Sequence, residues 1–72
     1  MKNLTQEQLD KIDQIVEEVE RLLLDNPDST LSHAYRYKLV ELAACMHNNY
    51  REQEGVEARI DRVMGLVLDS YL

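Results

Sequence analysis

Apolar residues recur along this chain at helical spacing in three stretches, separated by clusters of helix-ending residues. Alternation of the kind that marks strands is absent. In the first stretch, Leu9, Ile12, Ile15, Val16, Val19, Leu22 and Leu23 fall within one arc at about 100° per residue, while Asp10, Asp13, Glu17 and Glu20 line the far side. The start of this helix is specified in detail. Thr5 as N-cap with Gln8 three residues on makes a capping box, and Leu4 and Leu9 occupy the two positions of a hydrophobic staple. Leu24 falls on the acidic side, just before the break at Asp25-Asn26-Pro27-Asp28-Ser29, where Pro27 disfavours helix in the residue before it.

The second stretch opens at Asp28, Ser29 or Thr30, any of which can cap a helix, and its periodicity continues to about Gln53. Leu31, Tyr35, Leu39, Leu42, Met46 and Tyr50 form its main stripe, with Ala43 and Cys45 at the margins. Tyr37, Val40 and Ala44 form a thinner second stripe on the opposite side. A middle helix touches both neighbours and needs a wide apolar surface, so this second stripe is open to two readings, core packing or an interaction surface. Glu52-Gln53-Glu54-Gly55 ends the stretch. The third stretch carries Val56, Ile60, Val63, Met64, Val67, Leu68 and Tyr71 on one face. Gly65 lies on its polar side, where glycine costs a helix about 1 kcal/mol relative to alanine. Leu66 and Leu72 lie off the stripe.

The pattern predicts a single all-α domain over residues 1–72, a small three-helix bundle with antiparallel helices at about 5–25, 29–53 and 56–71. A chain of this size buries only about 60% of the surface its unfolded form exposes, and small scaffolds usually add disulfides, a metal or oligomerisation. The one cysteine, Cys45, excludes an intramolecular disulfide. Within an apolar run its thiol reads as a small hydrophobe. A homodimer is expected, with Leu24, Leu66 and Leu72 among the apolar groups that one copy leaves partly exposed.

Charge then narrows the partners. Eight Lys and Arg against fourteen Asp and Glu give a net −6, and nucleic-acid binding ordinarily shows a basic stripe. Direct nucleic-acid binding and attachment to anionic membranes are therefore not expected. The N-terminus enters a polar helix start without the apolar stretch of a signal peptide, and no apolar run reaches the length of a membrane span, so a cytoplasmic protein is expected. Between Glu7 and Asp25 stand seven acids and only Lys11 and Arg21. Like charges at i, i+3 and i, i+4 cost a few tenths of a kcal/mol per pair. The row Asp10, Asp13, Glu17 and Glu20 is either a solvated face or a surface that meets a basic partner. A narrower version of the second reading is an acidic nucleic-acid mimic, of the type phages and mobile elements use to block enzymes that handle DNA or RNA.

Equipment for chemistry is not visible. His33 and His47 lie fourteen residues apart, about 21 Å along a helix, too far to share an ion. No Ser/His/Asp or Cys/His set, glycine-rich phosphate loop or paired-cysteine motif is present. Asp28-Ser29-Thr30-Leu31 resembles the Asp-Ser-Leu site of acyl carrier proteins, a resemblance that implies a phosphopantetheine arm on Ser29. Thr30 interrupts the motif, a short turn replaces that family's long first loop, and helix capping explains the same four residues. The reading that remains is a non-enzymatic regulatory or inhibitory protein without cofactor or metal. It touches another protein through helix faces, with Asp10, Asp13, Glu17 and Glu20 as the candidate acidic surface and Tyr37, Val40, Ala44 and Leu66 as the candidate apolar one.

Overall fold

A computed structural model describes residues 3–25 and 30–70, the side chains of Thr30 and Leu31 excepted. Ser29, Tyr71 and Leu72, to which the sequence assigned a modification site and apolar positions, lie outside the described residues. Three helices follow one another, α1 (Gln6–Asp25), α2 (Thr30–Tyr50) and α3 (Val56–Ser70). The capping box forms at the head of α1: the Gln8 amide donates to Thr5 Oγ1 at 3.1 Å and the Thr5 amide to Gln8 Oε1 at 2.8 Å.

Three polar links set the order of the helices. At one end, the side-chain amide of Gln53 pairs with the backbone of Leu4 as a second peptide group would. The Leu4 amide donates to Gln53 Oε1 at 2.7 Å and Gln53 Nε2 donates to Leu4 O at 2.8 Å. Midway, Arg59 on α3 grips Asp13 on α1. At the other end, Arg36 on α2 reaches Ser70 at the close of α3. Together they define an up-down-up bundle in which α2 runs antiparallel to its neighbours and α1 lies parallel to α3. The tightest pairing is between α2 and α3, with α1 laid across both.

The core is built from residues three, four or seven apart along a helix, the spacings that keep one seam facing its partners. These are Leu9, Val16 and Leu23 on α1, Leu39, Ala43 and Met46 on α2, and Val56, Val63 and Val67 on α3. Helix α2 ends at Tyr50, three residues earlier than its periodicity suggested. The Gln53 amide turns back to Tyr50 O at 2.9 Å, and Gly55 takes φ +87°. That left-handed conformation is costly for a residue with a Cβ. A Cβ there would also stand 2.9 Å from Arg59 Nη1.

Several positions depart from the sequence pattern. The centre of the buried face of α2 runs through Ser32, Arg36, Leu39, Ala43 and Met46, about 50° round the helix from the stripe of large apolar residues at about 100° per residue. Tyr35, Leu42 and Tyr50 are consequently only partly buried. Cys45, read as a small hydrophobe at the margin of the stripe, is exposed, with its Sγ 3.8 Å from Asn49 Nδ2. Ile15 is 45% exposed although it falls within the apolar arc of α1. On α3, Leu66 and Leu68 flank the buried Val67 on opposite sides. Leu66 follows Arg59 by two turns, on the side that faces α1, and packs against the core; Leu68 is 63% exposed.

At Gly65 an added Cβ would meet no atom within 4 Å. Gly65→Ala is expected to raise stability by up to about 1 kcal/mol through helix propensity and a less entropic unfolded chain. Thermal melts should show a midpoint about 5 °C higher.

Candidate interaction surfaces

The acidic row of α1 does not lie opposite the core, as the sequence arc placed it, but along the flank of α1 nearest α3. Asp10 and Glu17 are exposed, whereas Asp13 and Glu20 are partly buried. Asp13 is already answered within the chain: Arg59 Nε donates to its Oδ1 at 3.0 Å and Nη2 to its Oδ2 at 3.0 Å, a bidentate fork. The third nitrogen of the same guanidinium donates to Gly55 O at 2.9 Å. One arginine therefore ties α1 to the turn that starts α3. Asp10 accepts a hydrogen bond from Gln6 Nε2 at 2.9 Å and stays open to solvent.

The exposed acids of α1 are Glu7, Asp10, Glu17, Glu18 and Asp25. The sequence pointed to two of these and missed the others, because a helical wheel drawn about the apolar arc cannot show which flank a third helix covers. Charge is segregated by helix. Seven acids and two bases leave α1 with −5, whereas α2 carries +1 from Arg36, Lys38 and Glu41, and α3 carries −1 from two arginines and three acids. Glu41 is also paired with Lys38 at 3.4 Å.

The second surface lies on the seam between α2 and α3. His47 on α2 and Arg51 just past its end line an open hollow together with Glu57, Ile60 and Asp61 on α3, so these faces of the two helices adjoin. Steps of three and four residues from His47 lead along α2 to Ala44, Val40 and Tyr37, and steps of seven and eight from Asp61 and Ile60 lead along α3 to Leu68. Tyr37 is 65% exposed, Val40 41% and Leu68 63%, and Ala44 is exposed beside them. Tyr37, Val40 and Ala44 are thus surface residues of one copy, and Leu68 joins them. Leu66, the fourth candidate from the sequence, belongs to the α1 side of α3.

The sequence offered no notice of the buried polar pair on α2. Ser32 is fully buried and Arg36 is 4% exposed. Arg36 Nε donates to Ser70 Oγ at 2.8 Å and Nη2 to Ser70 O at 2.9 Å, while Ser70 Oγ donates to Val67 O at 2.7 Å. The guanidinium caps the C-terminal end of α3, where the helix dipole favours a cation. The available signal was position alone: Ser32 and Arg36 precede Leu39, Ala43 and Met46 at helical spacing.

Among the described residues, no group of three His, Cys, Asp or Glu side chains is placed to hold a metal ion, and no helix is long and apolar enough to cross a membrane. No protein-family model, curated protein or solved structure matches the chain.

Proposed function

We propose that this chain is a small non-enzymatic regulatory or inhibitory protein that binds another protein through helix faces and pairs with a second copy of itself in the cytoplasm. The observation that carries the reading is the separation of charge from exposed apolar surface. Nearly all of the net charge resides on α1, whereas the exposed apolar residues Tyr37, Val40 and Leu68 lie along the seam of α2 and α3. The acidic face would meet a protein with a basic surface, where complementary charge accelerates encounter and fixes orientation more than it adds affinity. The narrower reading, a phosphate mimic, asks for an evenly spaced row of free carboxylates. Asp13 is engaged with Arg59, so the general reading is kept ahead of it.

The test changes Asp10, Glu17 and Glu18 to Asn or Gln and leaves Asp13 in place, because its loss would also untie α1 from α3. All three are exposed, so the fold should survive and repulsion along α1 should ease. Partners captured from host extract on immobilised wild-type chain should elute at moderate salt, as screening predicts, and should be lost from the neutralised variant. Equal capture by the variant and the wild type would show the acidic face to be only solvated.

A further inference from the structure

We infer that the exposed seam of α2 and α3 is the surface on which the second copy docks, in a two-fold arrangement that places α2 of one copy antiparallel to α2 of the other. The inference rests on the pairing proposed above and assigns it a surface. Tyr37, Val40, Ala44 and Leu68 supply apolar area at its centre, of a kind enriched in the buried middle of interfaces.

Two further observations select a copy of this chain as the occupant. The first is charge. Self-association of a chain with net −6 is opposed by its own field unless the charge is kept away from the contact. Here α1, with −5, is not part of the seam, and α2, whose exposed charges are only the mutually paired Lys38 and Glu41, forms half of it. The charge along the seam also favours one orientation. Its α2 C-terminal end holds Arg51, Glu52, Glu57 and Asp61, a net −2, whereas the opposite end holds His33, Asp69 and the mutually paired Lys38 and Glu41, a net −1. A two-fold axis across the seam exchanges these ends, so the more acidic end of one copy meets the less acidic end of the other. A parallel arrangement would set acid against acid. The second observation is area. The molecule measures 39 × 20 × 16 Å, so one long face has room for the about 800 Å² that each partner contributes to an interface of standard size. Closed isologous pairing of two such faces is the commonest form of soluble oligomer.

Sedimentation equilibrium on the full chain tests the assignment. Wild type is expected to be a dimer at tens of micromolar. Leu68→Lys and Val40→Lys, each at an exposed position on a different helix, should weaken self-association at least about tenfold with unchanged far-ultraviolet circular dichroism. The variant neutralised at Asp10, Glu17 and Glu18 should dimerise at least as well as wild type, because those residues lie off the seam. A wild type that stays monomeric overturns the inference, as does a dimer indifferent to both lysines or one abolished by neutralising α1. None of these outcomes bears on binding of a basic partner by α1, which the capture experiment reads separately.

Discussion

Arg36→Ala should lower the unfolding free energy by about 3 kcal/mol, out of a total of about 7 kcal/mol for a chain of this length at roughly 0.1 kcal/mol per residue. The residue is 4% exposed, and its guanidinium bonds both the hydroxyl and the carbonyl of Ser70. Hydrogen bonds from a charged donor contribute about 1.5 to 3 kcal/mol each, and truncation also removes the packed aliphatic stem. Arg36→Met separates the two contributions, since it keeps most of the stem and offers no donor. We expect it to recover part of the loss while leaving the end of α3 frayed. Arg36→Lys keeps the charge but not the planar fork and should fall between wild type and alanine. Urea unfolding followed at 222 nm gives the free energies, and amide exchange near Ser70 reports the fraying. An alanine variant within about 0.5 kcal/mol of wild type, the range of ordinary surface changes, would show that this contact does not hold the end of α3.

Leu39→Ala should be equally damaging, at about 3 kcal/mol, within the usual 2 to 5 kcal/mol for truncating a buried leucine. Leu39 is 2% exposed at the centre of the buried face of α2. Its neighbour in sequence, Val40, is 41% exposed, and Val40→Ala should cost less than about 0.5 kcal/mol in the monomer. The contrast tests the rotation of α2, because a helix turned to bury the opposite stripe would bring Val40 inward and make its truncation costly. The comparison is run at low protein concentration, so that the proposed pairing of copies, which would stabilise the folded state by mass action, does not blur the difference.

Both changes bear on function through geometry. Arg36 and Leu39 set the rotation of α2 against α3, and that rotation leaves Tyr37, Val40 and Ala44 on the surface beside Leu68. Gln53 and Arg59 do the same for α1, fixing its position so that Glu7, Glu17 and Glu18 stay in solvent while Asp13 is neutralised from within.

The sequence by itself determined the number of helices, where α1 starts and how the chain divides. Each of these depends on local features: the Thr5–Gln8 capping box, the clusters around Pro27 and Gly55, and apolar spacing within a single helix. The single strong arc of α1 also located its buried line through Leu9, Val16 and Leu23. Tertiary structure decided the rest. In α2 the apolar residues are spread round the helix, so no one face stands out, and the choice falls to whatever packs best. In the folded bundle Ser32, Arg36, Leu39, Ala43 and Met46 are buried, while Tyr35 and Leu42 are left partly exposed. Pairwise contacts across the bundle, Asp13 with Arg59, Arg36 with Ser70 and Gln53 with Leu4, join residues 34 to 49 positions apart. No local period encodes such pairs, so a wheel drawn on one helix reads Asp13 and Arg36 as solvated charges. Only when three helices close on one another does one become an internal ion pair and the other a buried helix cap.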